Sequence, residues 1–285
     1  MMTKQKTSAH YKRNQKAFTV TRFILSLLVA FIMIVPFVWM VSASFKLNTE
    51  IFEYPVKWIP EVFRPDNYDK VWNKINFPTY FLNTLKLAVI ITVTQLFTCS
   101  LAAYSFTKLR FPGRDKLFLG YLATMMVPWH AIMIPQFIVV KTLNLYNTHT
   151  SLILIHAFSA FGVFLLRQNM LSIPDSLHEA AKIDGCGYFR TYWSIILPLT
   201  KTGLATLMVL TFNNIWNDYM GPMIYLDSDK LKTIQLGLAL FKEEFSADYG
   251  AIMAGTVCSI IPIVIVYAAA QKYIVEGIAF AGVKG

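Results

Sequence analysis

The stretch Phe23-Ile-Leu-Ser-Leu-Leu-Val-Ala-Phe-Ile-Met-Ile-Val-Pro-Phe-Val-Trp-Met-Val-Ser-Ala-Ser-Phe45 contains no charged residue. A helix rises about 1.5 Å per residue, so such a run can cross a hydrocarbon core roughly 30 Å thick. Five more segments have the same character, near Tyr80–Thr107, Leu117–Val140, Ser151–Leu166, Gly203–Leu226 and Ala251–Ala270, with Lys86 and Asp218 the charged residues inside them. Lipid offers unpaired backbone groups no partner, so each crossing is expected to be helical. A barrel would show short alternating strands, and the sequence has none of that pattern. The expected fold class is all-α, a polytopic membrane helical bundle with six transmembrane helices. Composition agrees: 55% hydrophobic residues and a mean hydropathy of +0.48 exceed what a soluble fold of 285 residues could bury.

A net charge of +10 could suggest a nucleic-acid partner, but its distribution argues otherwise. The N-terminus, the loop 108–116, the loop 167–202 and the C-terminal tail together hold 16 Lys and Arg against 5 acidic residues, whereas the loops between them hold 9 against 10. Lys and Arg bias toward one face is the positive-inside pattern, which predicts both termini in the cytoplasm and a multi-pass protein of a bacterial cell membrane. No nucleic-acid partner is expected; the bilayer is. Cys99, Cys186 and Cys258 fall outside the outward loops, so no structural disulfide is expected. The apolar run after the basic first 22 residues is too long for a signal-peptide core and lacks a small-residue cleavage site before Lys46, so it is expected to remain as the first span.

This divides the chain into a cytoplasmic tail (1–22), a first span with its extracytoplasmic loop (23–76), a core (77–272) and a second cytoplasmic tail (273–285). The outward loop Lys46–Thr79 contains Pro55, Pro60, Pro65 and Pro78, which exclude long helices, and it is expected to fold over the membrane surface. Pro112-Gly113, flanked by charges, suits a tight inward turn between two spans. Pro36, Pro128, Pro135, Pro222 and Pro262 lie within spans, where each removes a backbone hydrogen bond and can bend its helix.

The segment between the fourth and fifth spans, 173–198, is the most informative. Ser176 and Glu179 have capping-box spacing, so a short helix can begin after Pro174. Gly185 is placed to end it in a left-handed conformation. A second short helix can run through Tyr188, Tyr192 and Ile195 until Pro198 limits it. The predicted result is helix, turn, helix on the cytoplasmic face, a compact element able to dock on a soluble partner or simply to cap the bundle.

Within this segment Glu179-Ala180-Ala181, three residues, Gly185, nine residues, Ile195, one residue, then Leu197-Pro198 reproduce the EAA pattern. The chain thereby resembles the inner-membrane permeases of binding-protein-dependent ABC importers, in particular the carbohydrate subgroup typified by the smaller maltose-transporter permease. The likeness extends through Asn83-Thr84-Leu85, Ala103-Tyr-Ser-Phe106, Phe111-Pro-Gly-Arg114, Ile183-Asp-Gly185, Trp216-Asn-Asp218 and Gly277–Gly285. It implies a type I importer permease whose coupling helix meets a separate ATPase through Glu179, Ala180, Ala181, Asp184, Gly185, Ile195, Leu197 and Pro198. Glu179 would face a basic residue of that ATPase, although capping its own helix is an alternative role. The resemblance also implies that Gly282–Gly285 reach into the ATPase dimer.

No Gly-x-x-x-x-Gly-Lys-Ser/Thr loop is present, so ATP and Mg are expected on the partner ATPase, with no cofactor bound by this chain. Further expected partners are a second related permease and an extracytoplasmic binding protein delivering a sugar or oligosaccharide. Asn213, Asn214, Trp216, Asn217 and Asp218 form the most polar cluster in any span; they suit either sugar contact or interhelical hydrogen bonding, with Asp218 paired to Lys86. Phe241, Glu243, Glu244 and Phe245, in the outward loop 227–250, resemble the loop that meets a loaded binding protein; a plain solvated loop is the alternative. The histidines show no metal-ligand spacing and no nucleophile arrangement appears, so no catalytic site and no metal are predicted. Rival readings are a permease for glycerol phosphate or peptide, a membrane-embedded enzyme, and a proton-driven secondary transporter.

Overall fold

In the computed structural model, residues 2–243 and 247–282 are described, with side chains over 18–242 and 247–273. Every regular element among them is helical. Helix α1 (Met2–Ala43) is followed by a connecting segment ending in α2 (Asp66–Lys74), and then by α3 (Phe77–Lys108). Next come α4 (Arg114–Met126), α5 (Trp129–Thr142), α6 (His149–Ile155), α7 (Ala160–Leu171), α8 (Asp175–Ile183) and α9 (Tyr188–Leu199). Then α10 (Lys201–Trp216), α11 (Met220–Tyr225), α12 (Ile234–Glu243) and α13 (Tyr249–Gly282) complete the chain.

Three helices are long and apolar enough to cross a bilayer alone, with spans Phe18–Ala43, Phe77–Lys108 and Tyr249–Tyr273; three bent pairs bring the total to six. The expected run Leu117–Val140 is an elbow, because α4 and α5 meet at 98°. Pro128 lacks an amide proton and biases the residue before it away from the helical region, and Val127 is extended at ψ 114°. The run Gly203–Leu226 is divided as well: α10 ends at Trp216, and α11 restarts after Asp218, whose Oδ1 accepts from the Gly221 amide at 3.1 Å.

The break between α6 and α7, a 45° bend, exposes carbonyls that lipid could not satisfy. One stripe of α3 answers them. Gln95 donates to His156 O at 2.7 Å, Thr98 to Ala157 O at 2.7 Å, and the Cys99 thiol to Ser159 O at 3.5 Å. Gln95 also accepts from Thr211 of α10 at 2.9 Å, so a single glutamine joins three elements. On the other side of the bend, Ser159 caps α7 by accepting from the Gly162 amide.

Helix α3, 32 residues and thus about 48 Å long, passes through both apolar cores. One core gathers Phe77, Tyr80, Leu87, Trp216, Tyr225 and Phe241; the other gathers Tyr104, Phe118, Leu166, Tyr192, Ile196 and Leu207. Glycine permits the closest approach: a Cβ on Gly237 of α12 would lie 2.3 Å from Tyr80 Cδ2. Helix α1 packs along α13 and is otherwise peripheral, with none of its most apolar window buried.

Candidate functional site

The loops grouped by charge come together as expected at opposite ends. At one end α8, α9 and the turn 108–114 meet, and Gly113 at φ 80° makes the predicted tight turn. At the other, Asn147 accepts from the amides of Asp227 and Ser228, and Lys70 pairs with Asp248 at 3.1 Å.

Helix α8 begins after Pro174, but the capping box does not form: no side-chain cap is made at this end, and Ser176 sits inside the first turn. Asp175 takes the place at the positive end of the helix. Its Oδ1 accepts from Lys108 Nζ at 2.6 Å, and the same ammonium donates to Ile173 O at 2.6 Å. The Lys108 side chain is only 2% exposed, and both acceptors converge on its nitrogen. Lys108 in turn holds the Asp175 carboxyl below the usual carboxylate range. Ring contacts continue the joint, Tyr104 edge-on to His178 and His178 stacked with Tyr188. Ser100 Oγ and Tyr192 Oη meet at 2.8 Å inside the bundle.

Gly185 ends α8 as expected, at φ 75°. The Cys186 amide donates to Ala181 O at 2.9 Å and the Gly185 amide to Lys182 O at 3.1 Å, the two bonds of a Schellman motif. Helix α9 continues to Leu199, one residue past Pro198, and contains a π turn over Tyr192–Ile196 before a 79° bend into α10.

The EAA residues therefore divide by role. Glu179, Ala180, Asp184, Gly185 and Pro198 are exposed, Ile195 and Leu197 are half-buried, and Ala181 is buried against the bundle. Ile183, 86% exposed, adds an apolar knob to the outer face of α8. A cleft of about 730 Å³ beside it is lined by Arg110, Arg114, His178, Glu179, Lys182 and Tyr188 among others. Lys108 and Asp175 were not singled out from the sequence; 67 residues separate them, and no local pattern links a helix-terminal lysine to a helix-initiating aspartate.

The polar cluster of the fifth span also divides. Asn213, Asn214 and Asn217 are exposed, and Asn217 Nδ2 donates to Asn213 O at 2.9 Å. Gln235 from α12 reaches Asn217 Oδ1 at 3.4 Å, a neighbour the sequence did not suggest. Trp216 is fully buried, stacked on Phe212, with its Nε1 donating to Ser259 O at 2.9 Å; its ring is a core element. Asp218 does not pair with Lys86: it caps α11, while Lys86 is exposed on α3. Phe241 is not a surface contact, since it is fully buried on the face of α12 that also carries Ile234 and Leu238. The side chain of Glu243, residues Glu244 and Phe245, and the last residues 283–285 lie outside the described residues.

Comparison with known proteins gives a consistent result. Residues 96–279 match the family model described as binding-protein-dependent transport system inner membrane component. The chain is 33% identical over 260 residues to the arabinooligosaccharides transport system permease protein AraQ of Halalkalibacterium halodurans, covering 90% of this chain and 93% of that one. It is 34% identical over 250 residues to the lactose transport system permease protein LacG of Rhizobium radiobacter, covering 88% and 91%. Its fold matches a crystal structure of a bacterial ABC transporter involved in import of the acidic polysaccharide alginate, with a TM-score of 0.77 and 28% identity over 92% of this chain and 98% of that one. A helical bundle with the EAA loop folded at one end, matched over most of its length, belongs to the binding-protein-dependent inner-membrane transport family and is a multi-pass ABC importer permease of the type I fold.

Proposed function

We propose that this permease imports a sugar or oligosaccharide delivered by an extracytoplasmic binding protein, working with a second, related permease and an ATPase dimer that holds ATP and Mg. Both termini and α8 lie in the cytoplasm in this reading, following the Lys and Arg bias. The observation that carries it is the build of α8: a nine-residue helix clamped to α3 at its start, closed by a Schellman turn at its end, and exposing Glu179, Ala180 and Ile183. Such a helix presents one face to a partner and passes rigid-body motion to the bundle through the other. Relatives named for arabinooligosaccharide and lactose transport support a carbohydrate, and exposed amides at Asn213, Asn214 and Asn217 suit sugar hydroxyls. A phosphate-bearing solute would favour cations along the path, and Lys86 is the only Lys or Arg within the six apolar segments read from the sequence.

Charge reversal at Glu179 tests the coupling role. Opposing a basic residue of the ATPase with Glu179→Lys costs several kcal/mol by like-charge repulsion, and each 1.4 kcal/mol is about tenfold in the docking equilibrium. Uptake by proteoliposomes containing the whole complex should fall at least about tenfold on that basis, while the permease pair still purifies together. Uptake unchanged in that variant would remove α8 from the mechanism.

A further inference from the structure

The outward segment 52–63 remains unexplained by import. It is built and pinned: Ser42 Oγ donates to Trp58 O at 2.5 Å, Phe63 stacks on Phe45 with centroids 4.5 Å apart, and the Glu61 amide donates to Glu50 Oε1 at 2.7 Å. Lys46 Nζ, on a residue 1% exposed, donates to Lys57 O. A segment held this firmly would ordinarily turn its apolar residues inward. Instead Tyr54 is 92% exposed, Ile59 81%, Phe63 64%, Phe52 63% and Trp58 50%.

Its charges are arranged to disappear. Lys57 bridges Glu53 at 2.9 Å and Glu61 at 2.7 Å, leaving one net negative charge and no free cation on the segment. An attraction to anionic headgroups therefore does not explain it; partition of aromatic and aliphatic surface does. The place of the segment identifies its solvent. Ser42 and Phe45 sit where α1 ends, and α1 is a span with none of its most apolar window buried, so lipid bathes it. Its contacts with Ser42 and Phe45 set the segment beside the end of that lipid-facing helix, and at the end of a span tryptophan and tyrosine favour the membrane interface.

We propose that residues 52–63 form an interfacial wedge that lies in the headgroup boundary of the bilayer at the outward end of α1 and fixes the depth and tilt of that peripheral helix. Tyr54 and Ile59 enter the boundary, and the Glu53–Lys57–Glu61 ladder faces water. This inference needs membrane insertion alone and does not depend on which solute is carried.

Single-cysteine variants Tyr54→Cys, Ile59→Cys and Glu61→Cys, in a chain with Cys99, Cys186 and Cys258 replaced by alanine, are labelled with an environment-sensitive dye. The assembled complex is placed in phosphatidylcholine nanodiscs. All three sites are exposed, and monodisperse elution checks each fold. Labels at residues 54 and 59 should emit to the blue of the label at 61 and be quenched severalfold more by lipids carrying a nitroxide near the headgroup. Iodide should quench the label at 61 more strongly, and adding a soluble binding protein should change none of these. Equal iodide quenching at all three sites would overturn the proposal in favour of a solvated loop. Shielding that arises only with the binding protein would make the patch a protein-docking surface and overturn it too. Shielding from iodide without lipid quenching would assign the patch to the second permease and be equally fatal.

Discussion

Replacing Lys108 by methionine keeps the aliphatic stem and removes the ammonium, which isolates the electrostatic part of the joint between α3 and α8. Two charge-assisted hydrogen bonds are lost, each typically worth about 1.5–3 kcal/mol. The two losses differ. Asp175 is 73% exposed, so its carboxylate returns to water and the pair counts as a surface ion pair of roughly 1 kcal/mol or less. Ile173 is 8% exposed, and its carbonyl loses that donor, a cost of about 1–3 kcal/mol. Together, about 1–4 kcal/mol of the closure of α8 onto α3 disappears, equivalent to a roughly 5- to 700-fold rise in local opening. Hydrogen exchange over residues 174–185, referenced to the centre of α13, reads that change directly. Asp175→Asn keeps the Ile173 bond and should raise exchange by about tenfold or less. Because Lys108 lowers the Asp175 pKa, this contribution is complete above the ordinary carboxylate value of about 4 and is lost as pH falls through the lower folded value. The difference between native protein and Asp175→Asn should thus hold steady from about pH 5 to 8. Unaltered protection of 174–185 in Lys108→Met would refute the clamp.

Other substitutions separate conformation from packing. Gly185→Ala meets no neighbour within 4 Å and should cost only the left-handed conformation, about 1–2 kcal/mol, whereas Gly237→Ala drives a methyl into Tyr80 and should lower the thermal midpoint further, by overpacking of about 1–3 kcal/mol added to a rigid contact. If Gly185→Ala proves the more damaging to the midpoint in detergent, the packing of α12 on α3 is looser than described. Trp216→Phe leaves Ser259 O without its indole donor and should cost about 1–3 kcal/mol, with Asn214→Ala within about 0.5 kcal/mol of native; the same pair should reverse order in solute uptake, where the exposed amide is the candidate contact.

Helix existence, the two ends of the bundle and the Gly185 turn were legible because each rests on a local cause: apolar length, charge asymmetry, and a residue able to adopt positive φ. The elbow at Val127-Pro128 was visible as a proline, but its 98° angle was not, since a proline fixes only where a hydrogen bond is missing and tertiary packing sets the direction. Phe241 was misread, and the choice between the two roles open to Trp216 was not legible, for a related reason. An aromatic among amides, or in a loop with acids, has the composition of a contact surface, yet burial depends on which helix face turns inward. Here Trp216 turns toward Ser259 and Phe241 joins Ile234 and Leu238. Serine at the start of α8 misled for the opposite reason, because a better anion, Asp175, was already available one residue earlier with a lysine to meet it.

Helix α3 is the element on which these observations converge. Its C-terminal end is joined to α8 by Lys108 and to α9 by Tyr104 and Ser100; its middle satisfies the broken α6–α7 pair through Gln95, Thr98 and Cys99. Near its N-terminal end Asn83 donates to Lys230 O and Lys232 O at 2.9 and 3.0 Å, and Tyr80 donates to Asp229 at 2.5 Å. The Tyr80 hydroxyl, with Asn76 and Lys232 beside it, keeps the Asp229 carboxyl below its ordinary pKa, so this joint also persists at every pH above the carboxylate range. A straight helix of about 48 Å has little freedom to bend without a proline, and beyond its first turn α3 contains none. In the coupling role proposed for α8, a push on it would reach the 229–232 turn through one rod with polar joints at both ends. Severing the α8 joint by Lys108→Met should leave exchange at 229–235 unchanged in the resting protein and alter only its response to the ATPase cycle. Loosening of 229–235 in the resting Lys108→Met protein would mean instead that the two joints form one cooperative unit.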